Sequence, residues 1–270
     1  MRVVLYNNTA LINSHFGPQL VVQTLYEQLA KRDVELIGSL HRDALPNDNC
    51  ELLSRADLVI VNGEGSIHHG RCGHLVDVAN KYPAALINCV YQENPSNEGL
   101  SKFRLIAARE SQSANHLKEC GATGVEVVPD LMFGSSILRE FVPDEPEFDL
   151  GMTDNVTNRE SGHPPFVSNA IDYLHWLAQH RRVVCGRYHS AVACAVLGIP
   201  FTCWPSNTWK IEGMLDDMGL PELLFQTQQE AADNCPASFD AESKKKIGGY
   251  VTAAQMKIDS LFEKLVEIPL

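Results

Sequence analysis

Apolar residues in this chain fall into short unbroken runs, separated by stretches with helical spacing. Arg2–Tyr6, Val34–Leu40, Asp57–Val61, Ala84–Val90, Phe103–Ala108 and Val125–Val128 each predict a strand. Asp57–Val61 is continuous rather than alternating in its apolar character, as suits a strand covered on both faces. Between the first two, Pro18 stands where helix position N1 would fall, and Val22, Leu25 and Leu29 recur at helical spacing up to Lys31. Cys50–Ala56 predicts a short helix, and Arg109-Glu110-Ser111 opens another that runs to Cys120 with Gly121 as its stop. Strands alternating with helices predict a parallel, doubly wound sheet.

The pattern lapses over Glu140–Phe148 (EFVPDEPEF), which is acidic, rich in proline and read as a linker. It then resumes with a strand at Asp149–Met152, a helix marked by Ile171, Leu174 and Leu177, and a strand at Val183. A small-residue helix, Ala191–Leu197, is stopped by Gly198 and followed by a strand at Ile199–Trp204. A short helix at Met214–Met218, a last strand at Leu223–Phe225 and an amphipathic helix over Lys244–Val266, with Leu261 and Leu265 among its apolar positions, complete the chain. The expected fold class is therefore α/β, with two Rossmann-like parallel-sheet domains at 1–143 and 148–270.

Composition narrows the function. At 270 residues, 44% of them hydrophobic, the chain can bury the core of one large domain or of two modest ones. Its net charge of −12 argues against nucleic acid or an anionic membrane as partner. Met1–Leu5 lacks the look of a signal peptide, and no apolar run approaches transmembrane length. Eight cysteines without a C-x-x-C pair fit reduced thiols, so a cytoplasmic location is expected.

The chemistry concentrates in Val183–Gly213 (VVCGRYHSAVACAVLGIPFTCWPSNTWKIEG). Gly186 supplies a strand-to-helix turn, and Arg187, Tyr188, His189 and Ser190 follow where the helix begins. A helix N-terminus attracts anions, and Arg187 and Ser190 would strengthen that pull. His189 is the group here that exchanges a proton near neutral pH. The plainer alternative is that Arg187 pairs with a carboxylate and His189 caps the helix. Weighing against it, the polar run Pro205–Lys210, which contains Asn207 and Lys210 and leads to Glu212, follows the next strand. Two consecutive strand ends thus carry anion-competent loops at the edge where ligands of parallel sheets bind.

A second loop, Asn62–Gly70 (NGEGSIHHG), is expected to leave the third strand. Gly63 and Gly65 let backbone N–H groups face a ligand. Glu64 would repel phosphate, so with Ser66 this loop is read as holding sugar hydroxyls; the alternative is a tight turn with no ligand. His68, His69, Cys72 and His74 lie close together, but their spacing matches no two-pair zinc site, and no metal is expected. Arg109 and Asp130, both at strand ends, are candidates to line a cleft between the domains, or else a surface pair steadying a turn.

Gly186-Arg187-Tyr188-His189-Ser190, the alanine-rich helix, Leu197-Gly198-Ile199-Pro200 and Lys210-Ile211-Glu212-Gly213 together resemble the polysaccharide pyruvyl transferase family. The Gly-rich run at 62–70 is similar to that family's turn after the third strand, with Glu64 where glycine is common. Arg109-Glu110-Ser111 is similar to its Arg-acid-Ser helix start, whereas His15-Phe16-Gly17 departs from its Asn-x-Gly element. The resemblance implies a glycosyltransferase-B-like architecture, here with an abbreviated second domain, and an active site between the domains. It implies transfer of a pyruvyl group from phosphoenolpyruvate, the donor substrate, to hydroxyls of a cell-surface saccharide, with no separate cofactor. Arg187 would clamp the donor, His189 would act as general acid, and Lys210 would neutralise a second anionic group. Partners would be the small-molecule donor and the saccharide acceptor, with peripheral contact to a lipid-linked glycan. A nucleotide-sugar glycosyltransferase with Glu212 on a ribose, and a non-catalytic saccharide-binding remnant, are the alternatives.

Overall fold

The computed structural model of the chain describes residues 1–11, 16–143, 145–156 and 169–269; His15 falls outside them. Six parallel strands form the first sheet: β1 (Arg2–Tyr6), β2 (Glu35–Leu40), β3 (Leu58–His68), β4 (Ala84–Gln92), β5 (Leu105–Ala108) and β6 (Val125–Val127). Their spatial order is β2-β1-β3-β4-β5-β6, and every pair is parallel. A second parallel sheet has the order β7-β8-β9, with β7 at Phe148–Met152, β8 at His180–Cys185 and β9 at Phe201–Cys203. The α-helices are α1 (Phe16–Ala30), α2 (Cys50–Ser54), α3 (His74–Asp77), α4 (Ser111–Glu119), α5 (Ser136–Glu140), α6 (Ala170–Ala178), α7 (Tyr188–Leu197), α8 (Lys210–Met218), α9 (Gln228–Asp233) and α10 (Ala241–Val266). The fold is the expected α/β pair of parallel sheets.

The unbroken apolar runs are buried as their pattern requires. Val3–Tyr6 and Leu58–Val61 are fully inaccessible, as central strands flanked on both sides must be. Gly198 and Gly219 end α7 and α8 in the left-handed conformation, at φ 71° and 73°. The chain clusters into two compact units. Met1–Ile12, Val22–Asp130 and Met256–Leu270 make the first; Asn13–Val21 and Leu131–Gln255 make the second. The sequence-based division at 143–148 did not separate out the terminal segment that returns to the first unit. There, Ile258, Leu261, Phe262 and Leu265 form one buried stripe of α10, at helical spacing. Arg32 lies 5.9 Å from the Phe262 ring, and Lys31 and Lys264 pair with Asp259 and Glu126.

Two elements differ from expectation. The segment after Val61, expected as a loop, continues as β3 to His68, paired with β4 at Glu64–Cys89, Ile67–Tyr91 and His68–Gln92. Its glycines suggested a turn, but Gly63 serves close strand contact: a Cβ there would lie 2.6 Å from that of Cys89. The last strand expected at Leu223–Phe225 is a 3-10 turn over Pro221–Leu223 with a single bridge from Leu224 to Cys203. Pro221 fixes φ and removes a ladder donor there. No helix among the described residues is long and apolar enough to cross a membrane.

Candidate functional site

In the second unit β8 is the central strand, and its C-terminal end lies between those of β7 and β9. The three strand ends are tied together by polar groups. Thr153, buried after β7, accepts hydrogen bonds at Oγ1 from the Gly186 and Arg187 amides, at 2.8 and 3.3 Å. Asn155 donates from Nδ2 to the Pro205 carbonyl beyond β9, at 2.9 Å. Gly186 allows this convergence, because a Cβ would lie 2.5 Å from the Trp204 indole nitrogen and 2.6 Å from the Asp154 carbonyl oxygen.

Arg187 is held by Asp154 through both arms of its fork. Nε donates to Oδ1 at 2.8 Å and Nη2 to Oδ2 at 2.5 Å, with the side chains 18% and 17% exposed. The carboxylate pairing weighed from sequence is therefore present, and it fixes the guanidinium plane. Among the described residues Nη1 has no hydrogen-bond partner. The triplet Thr153-Asp154-Asn155 was missed in the sequence. Its signal is a polar run directly at a strand end, the same signal that singled out Arg187 and His189.

His189 lies in the first turn of α7, half-buried among rings. Tyr188 and Phe16 approach it edge-on, at centroid distances of 5.3 and 6.4 Å. Its ring also lies against Gly17 at the start of α1: a Cβ there would sit 2.1 Å from the His189 Cγ. Phe16 stacks on Tyr173 at 3.7 Å, and the Tyr173 hydroxyl bonds Ser190 Oγ at 2.8 Å. Ser190 is fully buried, so it anchors the helix turn that carries His189. Burial pushes the Tyr173 phenol well above its usual range, which keeps it neutral.

The loop after β9 folds on itself. Lys210, buried at the start of α8, donates from Nζ to Asn207 Oδ1 and, at 3.2 Å, to Thr208 Oγ1. Burial pushes the Glu212 carboxyl upward, partly offset by backbone N–H groups of its own turn and by Lys210. Its Oε2 is buried with no hydrogen-bond partner among the described residues. Between the ordinary and the raised value the native state holds a proton that the unfolded chain has lost, so this group makes stability fall as pH rises through that window. Glu212→Gln is expected to raise the melting temperature at neutral pH by about 2 °C, with the gain lost as pH falls through that window to 4.5. Melting curves across that range for both proteins check this.

In the first unit the matching sheet edge carries a buried amide network. Asn7 donates from Nδ2 to the Asn62 carbonyl at 2.5 Å and to Ser66 Oγ at 3.1 Å. Asn62 donates to the Asn7 carbonyl, Thr9 Oγ1 and Glu64 Oε2 at 3.3, 3.2 and 3.5 Å, and accepts from Asn88 at 3.1 Å. Glu64 and Ser66, the two residues singled out in the sequence, stand together on this network, while Gly65 is exposed. Asn7, Asn62 and Asn88 were missed because they carry no charge and are fully buried. Arg109 is buried with Asp130, its Nη1 2.6 Å from Oδ2, and Glu110 caps α4 by accepting from the Ser113 amide at 2.6 Å. The clustered histidines turn to separate partners: His69 pairs with Glu93 at 2.7 Å and His74 meets the Arg42 carbonyl.

Comparison with solved structures shows the same fold at low identity. A functionally uncharacterized protein from Klebsiella pneumoniae is 14% identical with a TM-score of 0.63, over 84% of this chain and 93% of that one. An α-glucosyltransferase in complex with UDP and DNA has 10% identity and a TM-score of 0.50, over 99% and 94%. An O-GlcNAc transferase mutant from Thermobaculum terrenum has 12% identity and a TM-score of 0.50, over 99% and 66%. The architecture is thus glycosyltransferase-B-like. No curated protein matches the sequence significantly. Residues 97–205, which hold β5 to β9 and with them Arg187, His189 and Asp154, match the family model of the polysaccharide pyruvyl transferases.

Proposed function

We propose that the chain transfers a pyruvyl group from phosphoenolpyruvate to hydroxyls of a saccharide, forming a pyruvate ketal. The family match supports a transferase acting on saccharides. The observation that carries the finer reading is the β8–α7 turn, where an oriented guanidinium with a spare Nη1 stands two residues before a half-buried histidine. In the reaction the donor's methylene carbon gains a proton, an acceptor oxygen bonds to the adjacent carbon, and phosphate leaves with the C–O bond electrons. A second hydroxyl closes the ketal, and the two hydroxyl protons balance the one gained by the methyl group and the one on the phosphate.

Arg187 binds a donor anionic group through Nη1 while Asp154 holds its plane. His189 delivers the proton to the methylene carbon, and the neutral rings around it keep water from competing. Lys210, carried on Asn207 and Thr208, offsets a second donor charge. The N-terminal end of α7 adds dipolar support. In the first unit, Gly63–Ser66 presents a carboxylate and a hydroxyl to neutral saccharide hydroxyls. Ser66→Ala is expected to raise the KM for the saccharide by about fivefold, the loss of one hydrogen bond, with the KM for the donor little changed. Equal effects on both would move the segment to the donor's side.

The reading is tested by thermal stabilisation. Phosphoenolpyruvate is expected to raise the melting temperature of the full chain, while UDP, GDP and CMP have little effect. Stabilisation by a nucleotide and not by phosphoenolpyruvate would overturn it.

A further inference from the structure

Glu64 occupies a backbone conformation that its own side chain disfavours. Its φ is 34°, in the left-handed region that residues with a long side chain rarely adopt. Of the other described non-glycine residues at positive φ, Asn7 and Asn88 are asparagines, the type that tolerates it best. Asp33, His69, Cys72 and Glu93 lie outside helices and strands. Glu64 lies inside β3, only 6% exposed, where the register against β4 shifts between Glu64 and Ile67. Irregularities of this kind re-aim a side chain and recur beside active sites.

The surroundings hold this carboxylate in place. Asn62 reaches Oε2 at 3.5 Å and is itself oriented by Asn88. The same amide network fixes Ser66 through Asn7. Gly65, next in the strand, is exposed, and a Cβ there would meet nothing within 4 Å, so the strand is open at that position. A glycine at position 64 would remove the conformational cost. The chain keeps a glutamate there, beside a fixed hydroxyl and an open glycine, and strained positions of this kind are characteristic of functional groups.

We propose that Glu64 is the proton acceptor for the saccharide hydroxyl. This rests on the reading that the chain modifies saccharide hydroxyls. As the hydroxyl oxygen forms its new C–O bond, the O–H electron pair stays on oxygen and the proton passes to the Glu64 carboxylate. The protonated carboxyl then releases that proton to water, so no other reagent is consumed.

Two variants test it. Glu64→Gly removes the carboxylate and the strain together, so its melting temperature is expected to equal or exceed the wild type's by about 2 °C. It should lose the stabilisation that methyl hexosides give. Glu64→Gln keeps hydrogen bonding to a hydroxyl but takes no proton: stabilisation by methyl hexosides should persist while kcat falls about 100-fold or more, at little-changed KM. The general effect of an excluded sugar is common to all three proteins and cancels in the comparison. A melting temperature several degrees lower in Glu64→Gly, with saccharide stabilisation intact, would make the carboxylate structural and overturn the proposal. So would a wild-type kcat in Glu64→Gln. If the wild type shows no turnover with phosphoenolpyruvate, the donor assignment fails; methyl hexosides stabilising the wild type and Glu64→Gln but not Glu64→Gly would then uphold Glu64. No saccharide effect on the wild type would overturn it.

Discussion

Arg187→Ala is expected to abolish stabilisation of the fold by phosphoenolpyruvate. A ligand at a hundred times its Kd stabilises a native protein by about 2.7 kcal/mol, a rise of several degrees. Hydrogen bonds to a charged group contribute about 1.5–3 kcal/mol each, so losing the guanidinium should weaken binding by a factor of at least about 10 to 100. The substitution has a second effect, distinct from the first. Asp154, whose side chain is 17% exposed, would lose the partner that bonds both its oxygens, so the unliganded protein should also melt lower. Asp154→Asn separates the two effects. It leaves Arg187 its charge but weakens the fork that orients it, so binding should fall by less than in Arg187→Ala. Arg187→Lys should recover little, because a point charge cannot reproduce a planar fork. Melting curves with and without phosphoenolpyruvate for the three variants check all of this.

His189→Ala is expected to lower kcat by about 10²–10⁴ while phosphoenolpyruvate still binds, since it removes the acid and leaves the clamp. The structure adds a second route to the same loss. A methyl group on Gly17 would fall 2.1 Å from the His189 Cγ, so Gly17→Ala must push the imidazole aside or shift α1. Overpacking of this kind costs about 1–3 kcal/mol, and a displaced ring should cost catalysis as well. Gly17→Ala should therefore melt lower than the wild type and turn over poorly, with donor binding retained. A wild-type rate in His189→Ala would show that another group delivers the proton.

Much of the fold was legible because burial on both faces leaves an unmistakable mark. The runs at Arg2–Tyr6, Asp57–Val61 and Ala84–Val90 allow no amphipathic alternative, and the glycine at 198 stops α7 where its pattern stops. The extension of β3 to His68 was hidden because Gly63 and Gly65 have the composition of a turn. The need for glycine at 63 is set by Cys89, a residue on another strand. The candidate site was legible where its polar and charged residues lie in one stretch, as in Arg187 to Ser190 and Lys210 to Glu212. It was not legible where the partner is far along the chain. Asp154 is 33 residues from Arg187, and Gly17 meets His189 from the other end of the sequence. The buried asparagines under Glu64 are uncharged and scattered over the end of β1 and the interiors of β3 and β4, so no local pattern marks them. A backbone at positive φ inside a strand is likewise a property of pairing that residue type alone does not announce.

The central claim is pyruvyl transfer, and the measurement that bears on it most directly is product formation by the full chain. The purified protein is incubated with phosphoenolpyruvate and a panel of saccharides, and phosphate release and acceptor mass are followed together. Pyruvyl transfer predicts acceptor-dependent phosphate release, matched one to one by acceptor carrying a pyruvate ketal, and both lost in Arg187→Ala. Glycosyl transfer from a nucleotide sugar to the same panel, with phosphoenolpyruvate left intact, would contradict it.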